Sequence, residues 1–86
     1  MLWKIKNKFT PTPINIYFLY ILKSKKDQNL YIGSTKNLKK RLEMHNRGKI
    51  FSTRDRRPFE LVYCELYKSE RDARVREKNL KLRSRA

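Results

Sequence analysis

The chain has 86 residues, of which 36% are charged, and it carries 23 Lys and Arg against 8 Asp and Glu. This length fits one small domain whose active site must be a surface cleft, and the charged content argues against a membrane protein. A formal net charge of +15 favours nucleic acid as the partner. A ribosomal protein, a nuclease, a repressor and an anionic-membrane binder share this balance, so the charge alone indicates no reaction.

Residues 1–15 are predicted to form a basic, loosely ordered arm, because lysines and two prolines occur there without apolar periodicity. The prolines interrupt any amphipathic helix, which argues against an organelle transit peptide. The apolar run Ile16–Leu22 is too short to span a bilayer, and no small-residue cleavage site follows it. A single cysteine indicates a reducing compartment. We therefore predict a cytoplasmic protein with one domain over residues 16–86.

The first predicted strand is Ile16–Leu22, a run rich in aromatic and β-branched residues that is typical of the middle of a sheet. The polar stretch Ser24–Asn29 interrupts the apolar pattern, which resumes at Leu30–Gly33. The two runs are expected to pair as an antiparallel hairpin.

A helix is predicted from about Lys36 to Arg47, with Ser34 or Thr35 as its N-cap and Gly48 as the residue that ends it. Leu38 and Leu42 form its inward stripe. Arg41 and His45 are four residues apart, so they share a helix face next to that stripe and can point into one cleft.

The second half of the domain begins with a basic loop, Lys49–Pro58, followed by a third strand, Phe59–Tyr67. Cys64 lies within the apolar run of that strand, where we expect a buried, inert thiol. Ser69 is predicted to cap a second helix that ends near Leu82.

Ala73, Glu77 and Leu80 fall at helical spacing, which places a carboxylate on the apolar face of the second helix. The predicted order of elements is β-β-α-β-α. The expected fold class is therefore α+β, a small three-stranded antiparallel sheet flanked by helices.

Hydrolysis of a phosphodiester requires a deprotonated nucleophile, positive charge at phosphorus and help for the leaving oxygen. One histidine and one cysteine make a zinc site improbable. A single carboxylate favours a Mg²⁺ or Mn²⁺ ion that keeps most of its waters. Glu77 is the candidate ligand.

An ordered set of motifs makes the chain resemble the GIY-YIG endonucleases. The two segments that name the family correspond to Phe18-Leu19-Tyr20 and Tyr31-Ile32-Gly33, whose tyrosines are eleven residues apart. The match runs from about residue 17 to 82 and is most similar to the small stand-alone bacterial branch, related to excision-repair and Holliday-junction nuclease domains. It continues through Gly33-Ser34-Thr35, Asn37-Leu38, Arg41, His45-Asn46, Gly48, Arg57-Pro58, Leu61-Val62-Tyr63 and Arg76-Glu77.

The resemblance implies a metal-dependent endonuclease that hydrolyses structured or single-stranded DNA during repair or recombination, in a bacterial cytoplasm and associated with the nucleoid. It implies that Glu77 holds the metal ion, that Arg41 stabilises charge on the phosphate, and that Tyr31 is the general base. Tyr20 would orient the water or the phosphate. His45 would hydrogen-bond the phosphate or a tyrosine, and its titration near neutrality would make activity pH-sensitive.

Six further residues are predicted to contact the nucleic acid. Gly33 is expected to permit close approach of the backbone to a phosphate or to the following helix. The arginines of the basic loop are expected to hold phosphates without reading sequence. No obligate protein partner is indicated. The full set is Gly33, Ser34, Lys40, Arg54, Arg56 and Arg57.

Each signal also has a structural interpretation. Tyr20 and Tyr31 can be core aromatics, and Glu77 can be a surface residue paired with Arg74 or Lys81 at helical spacing. The first motif begins with Phe18-Leu19 instead of Gly-Ile, and few residues follow the second helix. The alternative function is therefore a non-cutting nucleic-acid-binding module with the same fold.

Overall fold

The structure is a computed structural model that describes residues 15–84, so the predicted arm lies almost wholly outside the described residues. Besides the strands and helices named below, a short 3₁₀ turn at Arg54–Arg56 is the one regular element within residues 15–84. The predicted order β-β-α-β-α and the α+β class are confirmed. The elements are β1 (Tyr17–Ser24), β2 (Leu30–Thr35), α1 (Leu38–Asn46), β3 (Phe59–Tyr67) and α2 (Glu70–Ser84).

The sheet has the strand order β2-β1-β3, and both pairings are antiparallel. The central position predicted for the first strand is confirmed. Tyr20 lies opposite Gly33 on one side and Cys64 on the other. A register irregularity at Ile21/Leu22 locally shifts the pairing with β3.

The core lies between α1 and one face of the sheet. Tyr20, Leu22 and Phe59 are buried there, and Leu38 and Leu42 pack against them, as the helical stripe predicted. Helix α2 contacts all three strands. It covers the opposite face, because Ser34 and Glu65 hydrogen-bond to it and successive strand residues point to alternate faces.

The two helix starts differ from each other in how well they were predicted. Asn37, not Ser34 or Thr35, caps α1: its Oδ1 accepts from the Lys40 amide at 3.1 Å. Ser34 and Thr35 are still paired in β2, which extends two residues beyond the predicted end. In α2 the predicted cap is confirmed, since Ser69 Oγ accepts from the Asp72 amide at 3.2 Å.

The prediction that Cys64 is buried is wrong, because its thiol is exposed. The apolar run of β3 lies on an edge strand, and Val62 and Leu66 are also exposed. Sequence hydrophobicity does not distinguish an edge strand from a central strand covered on both faces.

Neither α1 nor α2, the helices among residues 15–84, is long and apolar enough to cross a membrane.

Candidate active site

Tyr20 and His45 form the buried centre of the site. Tyr20 projects from the central strand and is 1% exposed, while His45 projects from α1 and is fully buried. Tyr20 Oη lies 3.0 Å from His45 Nε2, and His45 Nδ1 lies 2.8 Å from Thr53 Oγ1. The imidazole is therefore held at both nitrogens, between the central strand and the basic loop.

Gly33 makes room for the Tyr20 ring. A Cβ at this position would lie 2.5 Å from Tyr20 Oη and 2.6 Å from its Cζ. The close approach that was predicted for a phosphate or the following helix is thus made by a side chain of the neighbouring strand. The glycine fixes where the Tyr20 hydroxyl lies.

Burial and neighbouring charges set the protonation of this centre. Burial raises the pKa of Tyr20 above its usual range; Tyr31 and Glu77 add to the effect, and Arg41 opposes it. Burial, helped by Arg41, lowers the pKa of His45 to about 4. The expected titration of His45 near neutrality is therefore wrong, because the desolvated ring is neutral there.

Tyr31 lies beside this centre but is more accessible. Its ring centroid is 5.0 Å from that of His45 and 6.4 Å from that of Tyr20. The side chain is half-buried, whereas Tyr20 is enclosed. Of the two motif tyrosines, Tyr31 is the one that solvent and substrate can reach.

Glu77 projects from α2 and meets β2 through Ser34. Ser34 Oγ donates to Glu77 Oε1 at 2.7 Å, and Lys81 Nζ donates to Oε2 at 2.7 Å. Lys81 Nζ also lies 6.0 Å from the centre of the Tyr31 ring. Since Tyr31 and Ser34 point to opposite faces of the edge strand, Lys81 joins the two halves of the site around that edge.

A basic groove follows the β2 edge. Three depressions adjoin one another where α2 meets β2: Ser34 and Arg74 line both the first and the second, and Lys81 lines both the second and the third. Five cationic side chains line them, namely Lys36, Arg41, Arg74, Lys78 and Lys81. Two carboxylates, Glu70 and Glu77, lie among these cations, so the lining has an excess of positive charge, which suits a phosphate backbone.

The donor set at Glu77 fits a divalent ion of the oxygen-liganded type. No group of three or more His, Cys, Asp or Glu residues able to hold a metal occurs within residues 15–84. Mg²⁺ is commonly bound by one or two carboxylates with waters and substrate phosphates completing its shell. A carboxylate has about four lone-pair positions, and Ser34 and Lys81 take one position each.

The three loop arginines predicted to contact nucleic acid have different partners in the structure. Arg56 Nε is paired with Asp27 Oδ2 at 2.7 Å, and its guanidinium stacks on Phe59 at 5.5 Å. Arg57 Nε donates to the Arg54 carbonyl at 2.7 Å. The Arg54 guanidinium instead lies over the exposed ring of Phe51 at 4.8 Å.

The remaining predicted contact, Lys40, is exposed on α1. Sequence reasoning missed Thr53, because the loop that brings it to His45 has no periodic pattern. It also gave no structural role to Asn46, which donates to and accepts from the Phe59 backbone at 3.1 and 2.7 Å. Lys81 was noted only as a possible ion-pair partner; its position over Tyr31 depends on packing across the β2 edge.

Comparison with known proteins agrees with this architecture. The model of the GIY-YIG catalytic domain matches residues 16–86. A UPF0213 protein of Clostridium perfringens is 46% identical over 65 residues, covering 74% of this chain and 69% of the relative. A UPF0213 protein of Staphylococcus haemolyticus is 43% identical over 70 residues, covering 80% and 84%. No solved structure matches the chain. The chain thus belongs to the GIY-YIG family, whose catalytic domain is of the nuclease type and implies a nucleic-acid substrate.

Proposed function

We propose that the protein is a metal-dependent endonuclease that hydrolyses phosphodiester bonds of DNA, in branched or single-stranded structures of the kind formed during repair or recombination. The observation that carries the proposal is the grouping of the two motif tyrosines around His45. His45 Nε2 lies 3.0 Å from Tyr20 Oη, and the His45 ring centroid lies 5.0 Å from that of Tyr31.

The roles follow from burial and charge. Tyr31 is the general base, because it is the accessible tyrosine beside the groove. Tyr20, held by His45, positions the water or the phosphate. Arg41, which lines the groove, would stabilise the negative charge that develops on the phosphate oxygens in the transition state. Lys81 adds a second cation on the Glu77 side.

Glu77 would hold the divalent ion, with Ser34 orienting its carboxylate from β2. When bound, Mg²⁺ or Mn²⁺ supplies positive charge at the scissile phosphate and lowers the pKa of a coordinated water.

One observation favours the alternative, a binding module that does not cut. Lys81 already neutralises Glu77 through a contact of 2.7 Å, as a structural ion pair would. The two functions predict different results when a metal ion is added. In a nuclease the ion must compete with Lys81 for the Glu77 carboxylate, whereas in a binding module the ion pair stays intact.

The test is cleavage of labelled single-stranded, flapped, nicked and four-way-junction DNAs with Mg²⁺, Mn²⁺ or EDTA. Glu77→Ala and Tyr31→Phe are expected to stop cutting while still binding DNA at low salt. Glu60→Ala, an exposed carboxylate on β3, serves as the matched control and should cut normally. If folded wild-type protein binds every probe and cuts none with either metal, the binding module replaces the nuclease.

A further inference from the structure

The most exposed large apolar side chain that the structure describes is Phe51, with 80% of its surface accessible. It lies in the basic loop between α1 and β3. A solitary exposed apolar residue is ordinary in a small protein. Phe51 differs because a cation covers part of its ring: the Arg54 guanidinium lies 4.8 Å from the ring centroid.

The backbone beneath Phe51 is held in place. The Thr53 and Arg54 amides both donate to the Ile50 carbonyl, at 3.1 and 3.0 Å, and close a tight turn around it. The Lys49 amide donates to the Met44 carbonyl at 2.9 Å, which ties the loop to the end of α1. Phe51 is therefore presented by a pre-organised turn, and less ordering entropy is lost when a ligand contacts it.

The same turn is tied to the active site. Thr53 Oγ1 lies 2.8 Å from His45 Nδ1, in the buried centre of that site. Phe51 is two residues from Thr53, and two residues span at most about 7 Å. The Phe51 backbone therefore lies within about 7 Å of the backbone of Thr53, whose side chain contacts His45, and Phe51 is not among the residues that line the groove along the β2 edge.

Arg54 is placed to hold a phosphate while its neighbour Arg56 is not. Arg56 is committed to Asp27 and to stacking on Phe59. Within residues 15–84, the guanidinium of Arg54 has no carboxylate partner. An aromatic face next to an unneutralised cation is the combination with which proteins bind unpaired nucleotides, the base stacking on the ring and the phosphate meeting the cation.

We propose that Phe51 and Arg54 form a stacking platform for one unpaired base of the DNA substrate, so that the enzyme prefers strands with unpaired bases near the cleavage site. The inference rests on the proposed function for the identity of the nucleic acid and names its substrate class. Stacking is independent of sequence, because every base has a π-face. In a continuous duplex the bases are stacked on each other, and the platform would have no base to receive.

The test measures binding in EDTA, separately from cutting. The probe is a flapped DNA with 2-aminopurine as its first unpaired base, with a blunt duplex and an RNA-flap analogue as comparisons. Wild type should quench the 2-aminopurine fluorescence and bind the flap more tightly than the duplex. Phe51→Ala should abolish the quenching and weaken flap binding roughly tenfold, with little change for the duplex.

Three variants distinguish aromatic stacking from a general apolar contact. Phe51→Trp should keep the quenching, and Phe51→Leu should lose it although its side chain is also apolar. Leu66→Ala, a similarly exposed apolar residue on β3, should behave as wild type. Equal binding of flap and duplex, quenching that survives in Phe51→Ala, or tighter binding of the RNA flap would overturn the proposal.

Self-association through Phe51 would also overturn it, and sedimentation of wild type beside Phe51→Ala would reveal it. The outcomes for the two proposals are separable. Quenching without cleavage would support the stacking platform and contradict the nuclease assignment. Cleavage without quenching would support the nuclease assignment and contradict the platform.

Discussion

A glutamate lies on each side of the central strand, Glu65 on the β3 side and Glu77 on the β2 side. The two carboxylates differ in how many of their hydrogen-bonding positions are occupied. On the β3 side, Glu65 accepts four hydrogen bonds: from Tyr63 and Tyr67 at 2.5 and 2.6 Å and from two nitrogens of Arg76 at 3.0 and 3.1 Å. On the β2 side, Glu77 accepts one bond from Ser34 and one from Lys81.

This difference separates a structural tie from a candidate site. Arg76, with the two tyrosines, lowers the pKa of Glu65 to about 2, and its lone-pair positions are occupied. Such a carboxylate can hold α2 against β3 but has no oxygen to offer a metal. Glu77 keeps open positions and faces a basic groove. Residue type alone does not distinguish the two clusters.

The largest expected effect comes from replacing each of the two glutamates and comparing the cleavage rates of the variants. Glu77→Gln should lower the cleavage rate by about a thousandfold or more, because several kcal/mol of charge stabilisation depend on the ion it holds. Glu65→Gln should leave cleavage within a few-fold of wild type but lower the melting temperature, because it weakens the tie between α2 and β3. Both are measured on the DNA that wild type cuts best.

Equal loss of cutting in the two variants, with both folded, would show that the open positions at Glu77 have no special role. A melting temperature unchanged in Glu65→Gln would contradict the structural role of that cluster.

The free energy of unfolding should fall in two separate pH ranges, one set by His45 and the other by Glu65. His45 has a pKa of 6.5 when unfolded and about 4 when folded, so stability is fully present above pH 6.5 and falls between pH 6.5 and 4. We expect a loss on the order of 2–3 kcal/mol in that window. Glu65, lowered from 4.5 to about 2, adds a second fall below pH 4.5.

Urea unfolding from pH 8 to 3 tests this. His45→Gln should remove the upper fall, and Glu65→Gln should reduce the lower one, to which Asp27 also contributes because its hydrogen bond with Arg56 lowers its pKa to about 2. The chain has a single histidine, so its NMR titration gives the folded pKa without ambiguity. A folded pKa near 6.5 would mean that the ring is hydrated and that water enters the centre on the β2 side.

Sequence reasoning recovered the parts of this molecule that depend on local pattern. The strand and helix order and the inward leucines of α1 follow from periodicity, and Ser69 follows from capping chemistry. It failed where a feature depends on strand order or loop path. The exposure of Cys64 reflects an edge position, and the contact of Thr53 with His45 crosses from loop to helix. The saturation of Glu65 compared with Glu77 likewise requires three elements to be placed together.

A smaller effect is expected at Gly33, which tests how tightly the β2 side is packed. Gly33→Ala should lower the free energy of unfolding by about 1–3 kcal/mol, because the new Cβ meets the enclosed Tyr20 ring at 2.5–2.6 Å. Leu66→Ala on β3 is the control and should change it by less than about 0.5 kcal/mol, since Leu66 is 61% exposed. An unchanged urea midpoint for Gly33→Ala would mean that the ring has room to move.

The smallest effect concerns Cys64, which lies opposite Tyr20 but on the β3 side of the central strand. Because its thiol is exposed, Cys64→Ser should change the free energy of unfolding by less than about 0.5 kcal/mol. The thiol of native wild type should react with a thiol-specific chromogenic disulfide about as fast as that of the urea-unfolded protein. Protection in the native state would show that the β3 side is covered in solution.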